Sequence, residues 1–259
     1  MNIAAQIVEF EKRGFSREQS ETILLLSETA KTLFADFPDH FLMFGGATLV
    51  FFHQSVRHSA DLDLLSTTEE LPRFEEIAAS LKAGLQPVAE ALRISPLDVT
   101  LVSGTGPDMK LMIYSNDRRP LYTVDLTRMG NVIASEIVTH TLDGSVPVIK
   151  SASRDFLLLQ KAEAFMFRRH VKARDAYDIL TLQRAGASLS DNLKAHLSDR
   201  LMSDEVGAER ISGRIEKLNE KLYKSELENR LPSEVYAALQ SSGFAELKNA
   251  VTTLFADWL

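Results

Sequence analysis

The sequence contains no cysteine. That excludes a disulfide framework, a thiolate nucleophile and a zinc–thiolate centre, and it fits a reducing compartment. No apolar run approaches the roughly 20 residues that a membrane-spanning helix needs. The opening residues, MNIAAQIVEFEKRGF, lack the basic start and apolar core of a secretory signal, so a cytoplasmic protein with no membrane partner is expected. Positive charge is in short supply too: 29 Lys and Arg against 36 Asp and Glu leave a net charge of −7. A chain of that sign does not coat nucleic acid by bulk charge, although it leaves room for a local basic patch. No internal repeat and no low-complexity tract stands out.

What is there is an ordinary globular composition. The chain is 259 residues long, 45% hydrophobic and 25% charged, enough for one large domain or two modest ones. Ser16-Arg17-Glu18-Gln19 has the form of a capping box ahead of an apolar-periodic helix over 23–37, which Pro38 ends. Residues 41–44 read as a strand, 47–53 as a short helix and 61–65 as the next strand. A helix is predicted over 69–92, with Gly84 and Pro87 as candidate breaks in its second half. From residue 97 the period changes, and strands are expected at 98–102, 109–114 and 121–126, separated by the turn-rich segments 103–107 and 115–120. A further strand is expected at 146–149. Everything after Ser151 reads as helix: 155–168, 173–184, 191–201, 204–227, 233–239 and 244–258. The fold class is therefore α/β, a mixed sheet flanked by helices over 1–150, followed by a helical C-terminal domain over 151–259 that closes a cleft.

Chemistry concentrates in FGGATLVFFHQSVRHSADLDLL, residues 44–65. On a strand, alternate side chains share a face, so Asp61 and Asp63 point one way while Leu62 and Leu64 point the other. Two carboxylates about 6–7 Å apart on one strand face repel each other unless a cation lies between them. Oxygen donors of this kind suit Mg²⁺ or Mn²⁺. Gly45 and Gly46 permit backbone angles closed to other residues and leave space for a phosphate; a helix opening there adds free N–H groups that attract anions. A two-metal site needs a third carboxylate. Asp125, in Tyr122-Thr-Val-Asp-Leu-Thr127, is the choice, because it lies on a predicted strand with Val124 and Leu126 on the opposite side. Asp98 and Asp117 compete for that role, the first at a strand start and the second in a turn. Read singly, Asp-x-Asp is also a common solvated strand face, and Asp125 has rivals.

A second informative stretch runs from Lys161 to Leu180. Lys161 lies on a helix beside Leu157, Leu158 and Phe165, placed to reach inward as a counter-charge for a triphosphate or to snorkel to water. Asp175 and Asp178 share one helix face, and either one is a candidate to orient Lys161, or both simply satisfy a helix start. Arg168, Arg169, His170, Lys172 and Arg174 form a basic run, suited to a phosphate-rich acceptor or to a solvated helix end.

Gly45-Gly46-Ala47-Thr48, Arg57-His58-Ser59-Ala60-Asp61-Leu62-Asp63-Leu64, Lys161-Ala162-Glu163-Ala164 and Arg174-Asp175-Ala176-Tyr177-Asp178 occur in that order. The set resembles the nucleotidyltransferase superfamily and, more closely, the AbiEii/AbiGii (MenT-like) toxin nucleotidyltransferases. Ala47 stands where that group has a small hydroxylic residue, and the gap from Gly46 to Asp61 is a residue longer. The resemblance implies a nucleotidyltransferase-type mixed sheet and Mg²⁺-dependent transfer of a nucleoside monophosphate from an NTP, with release of pyrophosphate. It implies metal ligands Asp61, Asp63 and Asp125 and a triphosphate held by Gly45, Gly46, Arg57 and Ser59. It also implies a phosphate-neutralising Lys161, held by Asp175, with Asp178 beside it. A tRNA 3′ end is an implied acceptor and a cognate antitoxin an implied partner; a protein hydroxyl and a small molecule such as an aminoglycoside stay open as acceptors. The rival readings are a catalytically inactive nucleotide- or partner-binding module and, last, a metal-dependent glycosyltransferase, which would require several βα units before the Asp-x-Asp.

Overall fold

The structure, a computed structural model, describes residues 3–67, 72–105, 108–128, 136–142, 144 and 147–259. The chain divides into two compact units, Met1–Ala152 and Ser153–Leu259. Among the described residues no helix is long and apolar enough to cross a membrane.

The first unit begins with helices α1 (Ile3–Lys12) and α2 (Arg17–Asp36). Both arms of the expected capping box form: Ser16 Oγ accepts from Gln19 N–H, and Gln19 Oε1 accepts from Ser16 N–H. Strand β1 (Phe41–Phe44) leads into α3 (Gly45–Phe52), and β2 (Asp61–Ser66) follows. Then come α4 (Phe74–Ala91), β3 (Asp98–Thr105), β4 (Asp108–Tyr114), β5 (Pro120–Arg128), β6 (Ile137–Thr141) and β7 (Val148–Ala152). The seven strands form one sheet in the order β3-β4-β5-β2-β1-β7-β6. The β1–β7 and β2–β5 pairs are parallel; β1–β2, β3–β4, β4–β5 and β6–β7 are antiparallel. Leu62, Leu64, Leu111, Ile113, Val124 and Leu126 from the sheet join Leu26, Leu33, Ile77, Leu81 and Leu85 from α2 and α4 in one core. Alternation therefore sends Asp61, Asp63, Lys110 and Asp125 to the opposite face of the sheet.

Several boundaries differ from the sequence reading. Helix α4 starts at Phe74, where Glu76 accepts from the Arg73 N–H at 2.9 Å, not at residue 69; residues 68–71 lie outside the described residues. Neither Gly84 nor Pro87 breaks it. Gly84 lies against Thr32 of α2, where a Cβ would collide, so that glycine marks a close helix–helix approach. The buried face of Ile77, Leu81, Leu85 and Val88 carries the helix across Pro87. Strand β6 has no counterpart in the reading; it is a half-exposed edge strand with no apolar alternation to announce it. The turn at 103–107 and the strand start at 146 fall in part outside the described residues.

The second unit is helical: α5 (Arg154–Phe167), α6 (Ala173–Arg184), α7 (Asp191–Ser203), α8 (Ala208–Glu216), α9 (Glu220–Leu227), α10 (Ser233–Ser241) and α11 (Ala245–Leu254), closed by a 3₁₀ turn at Ala256–Trp258. The helix expected over 204–227 is two helices, because Asn219 caps a new one by accepting from Leu222 N–H at 3.0 Å. Helices α5 and α6 pack together as a hairpin joined by residues 168–172.

Candidate active site

Five of the sequence-selected residues gather at the junction of β1, α3 and β2. Gly45 opens α3 with φ +75°, a left-handed value that suits glycine. A Cβ placed there would land on the Asp63 carboxylate, so the acid lies directly against the helix start. A Cβ on Gly46 would come within 2.5 Å of Ser59 Oγ and 2.9 Å of Arg57 Nη2. The two glycines are thus the floor on which Arg57, Ser59 and Asp63 rest. Arg57 is 3% exposed and donates from Nη1 to the His58 carbonyl at 3.2 Å. Phe44, the residue before α3, offers no side-chain cap of its own.

The third carboxylate arrives on a different strand. In the parallel β2–β5 pair, Asp63 registers with Asp125 and Asp61 with Thr123. Neighbouring strands lie about 4.7–4.9 Å apart, so residues in register on them stand side by side. Asp61, Asp63 and Asp125 therefore share the face opposite the core. The rivals for the third position stand elsewhere. Asp98 is on edge strand β3, three places from β2, paired with Lys82 at 3.2 Å; Asp117 sits in the β4–β5 turn and accepts from Ser115.

Two residues on this acidic face escaped the sequence reading. Thr123 donates from Oγ1 to Asp61 Oδ1 at 2.7 Å. Lys110, the register partner of Asp125 on β4, places Nζ 2.9 Å from Asp125 Oδ2. The bond to Asp125 pushes the Lys110 ammonium above the usual lysine range despite partial burial, and the charges of Asp125, Asp61 and Asp63 add to the shift. One signal was available: Lys110 alternates with buried Met109 and Leu111, which forces it to the face that Asp125 occupies. Among the described residues no three acidic or imidazole side chains are gathered as a finished metal cage. The donor set nevertheless fits a hard divalent cation. It offers carboxylate oxygens from two neighbouring strands on one face of the sheet.

The second unit brings Lys161, Asp175 and Asp178 together in the α5–α6 hairpin. Lys161 Nζ pairs with Asp178 Oδ2 at 2.8 Å, and Arg168 Nη1 makes both oxygens of Asp175 its acceptors at 3.1 and 2.9 Å. The direct holder of Lys161 is therefore Asp178, not Asp175. The reason is the antiparallel hairpin: Arg168, next to the turn, meets the acid nearer the turn, and Lys161, two helical turns back, meets the acid one turn further on. Both acids are fully buried and Lys161 is 8% exposed. Burial pushes the Asp175 carboxyl above the usual carboxylate range, against the pull of Lys161 and Arg168. Arg214 of α8 also escaped the reading; it is buried and donates to the carbonyls of Phe165 at 2.6 Å and Arg168 at 2.9 Å, closing the C-terminal end of α5. Of the basic run, Arg168 is committed to Asp175 and Lys172 to Glu226 at 3.0 Å, while Arg169 and His170 are exposed.

A Gly-Gly helix start thus lies against the Asp-x-Asp strand, with the strand carrying Asp125 beside that strand in the same sheet. Two solved structures from Helicobacter pylori share this fold: a candidate nucleotidyltransferase, at 18% identity and TM-score 0.54, covering 94% of this chain and 97% of that one, and JHP933, with the same identity and score, covering 94% of each. MenT4, a nucleotidyltransferase toxin from Mycobacterium tuberculosis H37Rv, matches at 13% identity and TM-score 0.47 over 97% of each chain. A comparison with curated proteins finds no match. The family model of the nucleotidyl transferase AbiEii toxin, type IV toxin–antitoxin system, matches residues 31–256. The chain belongs to the AbiEii family of nucleotidyltransferase toxins.

Proposed function

We propose that the chain transfers a nucleoside monophosphate from an NTP to an acceptor, with Mg²⁺ or Mn²⁺ held by Asp61, Asp63 and Asp125. The observation that carries this reading is the β2–β5 register, which sets Asp125 opposite Asp63, the acid that lies against the glycine-opened start of α3. A divalent cation there would supply charge to the oxygens of the transferring phosphoryl group. The chain's own residues do the rest. The backbone at Gly45 and Gly46, at the start of α3, receives phosphate oxygens, with Ser59 and Arg57 as donors behind it. Asp125 accepts the proton of the attacking hydroxyl. Within the second unit, Lys161 is an ammonium held by the buried Asp178 carboxylate, and Asp175 fixes the hairpin around it through Arg168.

The acceptor in this reading is a hydroxyl, on a tRNA 3′ end or on a protein, and the setting is cytoplasmic beside a cognate antitoxin, as the type IV toxin–antitoxin family suggests. The test is incubation with each labelled NTP, Mg²⁺ and total cell RNA or protein, followed by a gel. Label carried by the wild type and lost in Asp63→Ala supports the reading. No label with any NTP, in RNA or protein, favours the inactive binding module instead.

A further inference from the structure

We propose that Lys110 is a built-in competitor for the divalent cation: its ammonium holds the acidic face together before a metal ion arrives and releases Asp125 when one binds, so Lys110 sets how tightly that face takes metal. The inference rests on the metal reading above and adds a residue which that reading does not require.

The placement of Lys110 is dictated by its strand. Met109 and Leu111 are both buried in the core, so the pleat leaves Lys110 on the face with Asp61, Asp63 and Asp125. Its backbone registers with Asp125, and its Nζ lies 2.9 Å from Asp125 Oδ2. Three carboxylates on one face repel one another, and one ammonium cancels one of their three charges. A divalent ion that takes Asp125 as a ligand must share that carboxylate with Lys110, and it meets a like charge lying 2.9 Å from Oδ2. The exit is open. The Lys110 side chain is 40% exposed, and its four-carbon stem can carry the ammonium into solvent. Thr123, which holds Asp61 from the side, is neutral and poses no such competition.

The experiment measures Mn²⁺ binding to the full chain by calorimetry or electron paramagnetic resonance, for wild type, Lys110→Met and Lys110→Arg. The Met variant keeps the stem and removes the charge. It should bind Mn²⁺ about three- to tenfold more tightly, the range expected from losing one half-exposed ion pair and its repulsion. The Arg variant should stay within about twofold of wild type. Thermal unfolding gives a readout independent of turnover: the Met variant should unfold earlier than wild type in EDTA and gain more from added Mn²⁺. If the Met variant fails to fold, Lys110→Gln carries the same test. Equal or weaker Mn²⁺ binding on removal of the charge overturns the proposal and leaves the metal reading standing. Absence of any Mn²⁺ binding in the wild type overturns both.

Discussion

Lys161 and Asp178 form an ion pair 2.8 Å long between α5 and α6, with the carboxylate wholly buried. Such a pair is sensitive to loss of one partner, because the other is left charged in a place water does not reach. Asp178→Asn should therefore cost about 3–5 kcal/mol of stability, and Lys161→Met a similar amount. The joint Lys161→Met, Asp178→Leu variant should recover much of that loss, since both charges go together. Urea denaturation of the three variants checks this; a single-variant loss under about 1 kcal/mol contradicts it. Activity measured on Lys161 variants has to be read against their folded fraction.

Asp63→Ala should abolish incorporation of label from NTP while leaving the far-ultraviolet circular dichroism unchanged. Incorporation at the wild-type rate would remove Asp63 from the chemistry.

Gly45→Ala combines two insults, a left-handed backbone and a collision with the Asp63 carboxylate. Gly186 shares the first, at φ +83°, and has nothing within 4 Å of an added Cβ. Gly186→Ala should then cost about 1 kcal/mol, and Gly45→Ala about 2–4 kcal/mol together with loss of activity. Equal losses at the two positions in chemical denaturation would mean that Asp63 is not pressed against the helix start.

Tyr223, buried and stacked on Phe244 with ring centroids 4.3 Å apart, has a hydroxyl that finds no hydrogen-bond partner among the described residues. Burial pushes the phenol up to about 12. Unfolded chains release the same proton near their ordinary value of about 10. Between those values the native state holds a proton that the unfolded state has lost, so stability falls as pH rises through that window. Tyr223→Phe should remove that alkaline loss and be neutral or slightly stabilising at neutral pH, since no bond is broken. Unfolding midpoints at pH 8 and pH 11 for the two proteins test the sign.

The legible part of this protein was whatever depends on local pattern. The alternation in Asp61-Leu62-Asp63-Leu64 placed two acids on one face, and Ser16 with Gln19 marked the start of α2. Asp125 was legible as a strand acid, but its position opposite Asp63 follows from which strands pair, which no local pattern encodes. The partner of Lys161 went to the wrong acid for a related reason: Asp175 and Asp178 share a helix face, and only the packing of α5 on α6 decides which of them is level with the lysine. Lys110 was missed because a lysine on a strand reads as solvated until the register gives it Asp125. Gly84 and Pro87 read as breakers because propensity is local, whereas the buried face of α4 is not.

Strands β2 and β5 lie side by side in the sheet yet are separated in the chain by α4 and the β3–β4 hairpin. The acidic face is therefore completed only once β5 has been made. A ribosome that has released residues up to β4 has made the Asp-x-Asp, the glycines and Lys110, and still lacks the strand bearing Asp125. Fragments ending before that strand carry every motif of the first stretch and only two of the three carboxylates. Because closing so wide a loop is slow relative to forming a helix, the newborn chain passes through an interval in which Asp61 and Asp63 stand without Asp125.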